Sequence, residues 1–246
     1  MDVNIDNLVV YGCSLTKDNY IDTWADYLAA HLKLPLINNA ERGAGYEFIS
    51  SSLVNTLLDI KHPLCVVMWP SCDRVDLWVN DSTPQLQQDL NYASWLDGKQ
   101  PLFCDLNNNY SKTNGYYLSG AVPRGIKHTY YKNFYSSESH MNHALKTIVL
   151  TQHYLGYHGI PYVMCSSHPV NNLVQYHDDA SCDYEKTFMD QINFDNFVND
   201  SRQHGFINSI KGKGFGWVNA HYPNTDAHEW YVDNKVIPLL RKNILS

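Results

Sequence analysis

Leu8-Val9-Val10-Tyr11-Gly12-Cys13-Ser14-Leu15-Thr16 opens with four apolar side chains in a row and stops at a glycine. An unbroken apolar run of this length reads as a strand buried on both faces, the habit of parallel sheets. A helix is expected next, with Asp22 as its candidate cap, because Trp24, Tyr27, Leu28, His31 and Leu32 recur at helical spacing. Pro35 to Asn38 reads as a second strand. Tyr46 to Leu58 reads as a second helix with Ile49, Leu53 and Leu57 on one face, and Leu64 to Trp69 as a third strand. Strand and helix alternate, which implies βαβ units and an α/β fold: a doubly wound, three-layer α/β/α arrangement around a mainly parallel sheet.

From about residue 75 to 135 the periodicity fades and Asn, Tyr, Ser, Gly and Pro dominate, so this stretch is expected to be a loop-rich insertion in one domain spanning 1–246. Helical spacing returns over Ser137 to Leu155, followed by a fourth strand over Ile160 to Cys165. A helix near Asp195 to His204, a turn at Gly212, Gly214 and Gly216, and a last helix from Thr225 to Leu240 are expected beyond it. No internal repeat is visible.

The chain has 246 residues, 18 Lys+Arg against 25 Asp+Glu, and a formal charge of −7. With 44% hydrophobic content it can build a core without disulfides or metals. The acidic balance lacks the basic face that phosphate neutralisation demands, so nucleic acid is not an expected partner. The cysteines (Cys13, Cys65, Cys72, Cys104, Cys165, Cys182) show no C-x-x-C pair and are expected as reduced thiols in a cytoplasmic setting. No charged n-region precedes an apolar stretch at the start, and runs such as Leu64 to Trp69 are too short to span a bilayer, so neither secretion nor membrane insertion is expected.

In open α/β sheets ligands bind at the carboxyl ends of strands, where helix N-termini and unpaired backbone N–H groups can stabilise an oxyanion. Ser14 stands there and is a candidate nucleophile, or a serine that fills a tight turn. The second such turn, Asn39-Ala40-Glu41-Arg42-Gly43-Ala44-Gly45, lets backbone approach a ligand closely, and also reads as simple loop closure. Near the C-terminus, Asn219-Ala220-His221-Tyr222-Pro223 puts a histidine just before the last helix. A neutral imidazole there suits the general base, with His228 as its rival and Asp226 as either an orienter or a helix-start charge. His140 and His143 have H-x-x-H spacing but no evident third ligand, so no metal is expected. No motif asks for a cofactor.

Together these segments resemble the SGNH (GDSL-type) hydrolases, and among them the compact SGNH-like proteins of tailed bacteriophages. Gly12-Cys13-Ser14-Leu15 is similar to the GDSL block with Cys in place of Asp. Asn39 to Ile49 is similar to the second block, and Met68-Trp69-Pro70-Ser71-Cys72-Asp73-Arg74 to the G-x-N-D block in a Trp-Ser-x-x-Arg form. The resemblance implies a flavodoxin-like sheet, Ser14 as nucleophile, and an oxyanion hole from the Ser14 and Gly43 N–H groups. Ser71 stands where the family has its asparagine donor, and loss of one such donor typically costs about a hundredfold or more in rate. In the last block Asn219 replaces Asp, and Tyr222 intervenes before Pro223; His221 is the matching base, or His228 if Tyr222 fills the histidine slot. The implied activity is that of a serine esterase or deacylase. The aromatic and amide side chains of the insertion suit an O-acetylated carbohydrate substrate. A non-catalytic, virion-associated or glycan-binding module of the same fold is the alternative.

Overall fold

The computed structural model describes residues 4–18, 20–72, 74, 76–79, 103–104, 110–111, 115–118, 133, 136–169, 183–198, 204–219 and 222–245. In chain order the elements begin with β1 (Asn7–Tyr11), α1 (Trp24–Leu32), β2 (Leu36–Asn38), α2 (Tyr46–Thr56) and β3 (Pro63–Trp69). Short strands β4 (Asp76–Val79), β5 (Phe103–Cys104), β6 (Tyr110–Ser111) and β7 (Gly115–Leu118) follow, then α3 (Ser137–Tyr157) and β8 (Tyr162–Ser166). The chain continues through α4 (Asp183–Gln191), α5 (Phe206–Ile210), and a hairpin of β9 (Trp217–Asn219) and β10 (Tyr222–Pro223). It ends in α6 (Thr225–Tyr231), which passes through a π turn at Val232–Val236 into α7 (Ile237–Asn243).

The main sheet has the order β2-β1-β3-β8, with every described pairing parallel. Val9 lies opposite both Ile37 and Cys65, and Val66 opposite Val163. Each residue of β3 is buried, as expected of a central strand covered on both faces. Right-handed crossovers decide where the helices go. The step β1 to β2 runs one way across the sheet, whereas β2 to β3 and β3 to β8 run the other way, so α1 falls on one face and α2 and α3 on the opposite face. The packing agrees: α1 meets α6 and the π turn, while α2 meets α3 and α3 meets α4. The fold is therefore the three-layer, doubly wound α/β arrangement, and its winding reverses between β1 and β3. Trp24, Trp69, Tyr11, Tyr231 and Phe48 are the largest side chains of the core, and the Trp69 ring stacks on Tyr46 at 5.1 Å.

Within the stretch expected as an insertion, the described strands form a second sheet, β4-β7-β5-β6, whose pairings are antiparallel. Three expectations need correction. Thr23, not Asp22, is the N-cap of α1, and the Asp26 carboxylate three residues on accepts the Thr23 N–H at 2.8 Å. No helix begins at Asp195: Phe194–Asn196 is a single 3₁₀ turn, and Phe197 and Val198 are drawn to the sheet edge, where the Val198 N–H donates to the Met164 carbonyl at 2.8 Å. Residues 199–203 lie outside the described residues, and the next described helix is α5. The fourth strand starts at Tyr162 instead of Ile160.

Leu53 in α2 is fully buried against the sheet. Leu53→Ala is expected to cost about 2–5 kcal/mol in the urea-unfolding free energy, with an unchanged far-ultraviolet spectrum at low denaturant.

Candidate active site

The carboxyl ends of β1 and β3 lie side by side where the winding reverses, the place where open α/β sheets bind ligands. Ser14 occupies the turn after β1, which the Thr16 and Lys17 N–H groups close by donating to the Cys13 carbonyl. Cys13 is buried in the core near Cys165, so its thiol is a packing group. The Thr16 carbonyl accepts the Thr23 hydroxyl and the Asn38 amide, both at 2.9 Å, which holds the Ser14 turn from two sides.

The turn carrying Gly43 is fastened to it. The Glu41 N–H donates to the Gly12 carbonyl at 3.1 Å, and the Glu41 carboxylate takes the Arg42 N–H at 2.9 Å and the Lys17 ammonium at 3.2 Å. Glu41 is almost wholly enclosed while Lys17 is about a third exposed. The Ala44 N–H returns to the Glu41 carbonyl, leaving Gly43 with φ +89°, a conformation that glycine adopts without strain. The third loop joins through Tyr46, whose hydroxyl donates to the Pro70 carbonyl at 3.0 Å.

Ser14 and Gly43 are buried, yet among the described residues neither backbone N–H donates a hydrogen bond, and the Ser14 hydroxyl has no partner. Buried backbone N–H groups are nearly always paired, because leaving one unmet costs about as much as a lost hydrogen bond. Two such donors in fastened, adjoining turns beside a serine hydroxyl form an arrangement suited to an incoming oxygen atom. Ser71 is partly exposed, and its carbonyl accepts the Arg74 N–H at 3.4 Å.

Of the two candidate bases, His221 lies outside the described residues, between the paired Asn219 and Tyr222 of the β9–β10 hairpin. His228 is described, and its chemistry is that of a structural residue. It is 1% exposed, lies against the Phe206 ring, and accepts the Trp24 N–H at Nδ1 over 3.1 Å. A neutral imidazole that accepts at Nδ1 carries its proton on Nε2, so it has no free lone pair with which to take a proton from serine. His228 thus satisfies an orphan N–H at the start of α1, and this corrects its placement as a rival base. Asp226 is exposed; its carboxylate meets the Asn224 amide at 3.3 Å, while Asn224 caps α6 by accepting the Ala227 N–H. It belongs to the helix start. His143 lies 3.6 Å from Glu47, and among the described residues no group of three or more His, Cys, Asp or Glu gathers as metal ligands.

A residue that the sequence reading did not single out holds the glycine turn. Asp76, the first residue of β4, accepts the Gly45 N–H at 2.8 Å and the Phe48 N–H at 2.9 Å, capping α2 from a distant segment. Gly45 is itself the N-cap position and has no side chain to do this.

No family model matches the sequence, and no curated protein sequence matches it. Among solved structures the chain is similar to TesA, at 13% identity and a TM-score of 0.48, with 96% of this chain and 99% of that chain covered. It is also similar to Est2A, an acetyl xylan esterase from the rumen bacterium Butyrivibrio proteoclasticus, at 10% identity and a TM-score of 0.46, over 98% of this chain and 65% of that one. At this distance the site is defined by the residues of this chain.

Burial holds the His228 imidazole down to about 4, offset in part by Asp18 and Asp26. Its folded pKa lies below the unfolded value, so the stability it contributes is present above about pH 6.5 and is lost as the pH falls toward 4, by an amount on the order of 3 kcal/mol. Urea unfolding at pH 7 and pH 4 is expected to show that much less loss in His228→Asn than in the parent chain.

Proposed function

We propose that this protein is a serine ester hydrolase whose nucleophile is Ser14. The observation that carries this reading is the pair of buried, unpaired N–H donors at Ser14 and Gly43 beside an unpaired serine hydroxyl. His221 serves as general base. It takes the proton from Ser14 Oγ as the oxygen attacks the ester carbonyl carbon, and the carbonyl oxygen becomes an oxyanion between the Ser14 and Gly43 N–H groups. Collapse of the tetrahedral intermediate breaks the bond to the alcohol oxygen, which leaves with the proton held on His221. Water, deprotonated by the same imidazole, then releases the acyl group and restores Ser14.

Asn219, in the place where the family has aspartate, suits an amide that orients the imidazole without adding charge, and imidazoles work with such partners elsewhere. The Tyr, Trp and Asn content of residues 75 to 135 favours a carbohydrate alcohol, with O-acetylated glycans as the substrate class. The substitutions at Ser71 and Asn219 favour the second reading, a glycan-binding or virion-associated module that keeps the fold without the chemistry.

The test is labelling by a fluorophosphonate probe together with hydrolysis of a short-chain aryl acetate. The wild type is expected to label once and to turn over. Ser14→Ala is expected to abolish both, and His221→Ala to lower kcat by about 10²–10⁴-fold. A folded wild type that neither labels nor hydrolyses would establish the binding-module reading instead.

A further inference from the structure

Gly43 offers its N–H to an oxyanion only if the turn from Gly43 to Gly45 keeps its orientation, and that turn runs straight into the first turn of α2. The N–H groups of a helix start have no partners within the helix, so they are met by a capping side chain or left to water. Here the cap position is a glycine, and the acceptor comes from 31 residues further along the chain. Asp76 takes the Gly45 N–H with one carboxylate oxygen and the Phe48 N–H with the other, at 2.8 and 2.9 Å. The approach is close enough to fix the residue type at Gly45, since a Cβ there would stand 2.7 Å from Asp76 Oδ2. Asp76 also opens β4 and pairs with Leu118 of β7, so one residue joins the second sheet to the glycine turn.

We propose that Asp76 is a positioning residue of the hydrolytic site: by gripping the Gly45 and Phe48 N–H groups it sets the glycine turn so that the Gly43 N–H faces the oxyanion. This rests on the esterase function proposed above. Asp76 itself touches no substrate. Its two oxygens must both accept, which only the ionised carboxylate does well, because a protonated one gives up an acceptor.

Among the described residues, the charged groups that act on Asp76 are Arg74 on the same loop and Glu47 in the first turn of α2, with His143 of α3 held 3.6 Å from Glu47. Burial pushes the Asp76 carboxyl up to about 7, against the two N–H bonds and Arg74, which lower it, while Glu47 raises it further. The grip therefore weakens as the pH falls through neutrality. In stability the sign is opposite to that of His228: the folded pKa lies above the unfolded value, so stability from this group is greatest below pH 4 and declines as the pH rises toward 7. Asp76→Asn removes a desolvated charge, and its fold is expected to survive.

The experiment compares wild type, Asp76→Asn and Gly45→Ala in steady-state hydrolysis of an aryl acetate, alongside amide proton shifts of Gly43, Gly45 and Phe48 from pH 5.5 to 8.5. An oxyanion donor acts mainly in the transition state, so both variants are expected to lose about tenfold to a hundredfold in kcat with KM within twofold. The three amides are expected to titrate together near pH 7 in the wild type, and that titration to vanish in Asp76→Asn. Retention of kcat within twofold, or Gly43 and Gly45 amides unmoved by Asp76→Asn, would overturn the proposal. Absence of turnover in the wild type would count against the esterase function alone, because the amide titration still decides whether Asp76 sets the glycine turn.

Discussion

The reversal of winding between β1 and β3 is the constraint on which the rest of the structure depends. A sheet wound in one direction would send all its crossover helices to one face, and the loops at its carboxyl edge would follow one another in step. Because β2 lies on one side of β1 and β3 on the other, α1 and α2 leave on opposite faces and the loops after β1 and β3 separate. The Ser14 turn sits in that gap, and the glycine turn before α2 bends over it, tied through Glu41 to Gly12 and Lys17. Burial of every β3 residue anchors this frame, so both turns stand on packed strands.

Local polar bookkeeping then shows which of these groups are met by protein acceptors. The orphan N–H groups at the start of α1 and α2 are met by side chains from far along the chain, Trp24 by His228 and Gly45 with Phe48 by Asp76. Two acceptors that sequence distance hides thus close the starts of both helices. The N–H groups of Ser14 and Gly43, by contrast, meet no acceptor among the described residues. His228 and Asp76 also carry opposite pH responses over the same range, one losing stability on acidification and the other on alkalinisation, so a single pH profile of the parent chain would show their difference.

Much of the frame was legible because its signals are local. An apolar tetrapeptide ended by glycine gives β1, helical spacing of Trp24, Leu28 and Leu32 gives α1, and the alternation gives the parallel sheet. Ser14 was singled out by its place at the end of β1, and Gly43 by the resemblance of its turn to a hydrolase block. What stayed hidden depends on contacts remote in sequence. His228 and His221 are both plausible bases on spacing alone, and only the Trp24 N–H, 204 residues away, shows that His228 is engaged. Asp76 falls where periodicity fades, and its only trace was indirect: a helix whose cap position is glycine and needs an acceptor from elsewhere. The segment around Asp195 misled because Phe197 and Val198 pack side by side against the sheet edge instead of recurring on one helical face.

The most direct test of the central claim is a crystal structure of the protein after reaction with a fluorophosphonate, whose tetrahedral adduct stands in for the transition state. The account predicts phosphorus bonded to Ser14 Oγ, with one phosphonate oxygen accepting from the Ser14 and Gly43 N–H groups at about 2.7–3.1 Å. An adduct on another residue, or one on Ser14 whose oxygens turn away from Gly43, would contradict it.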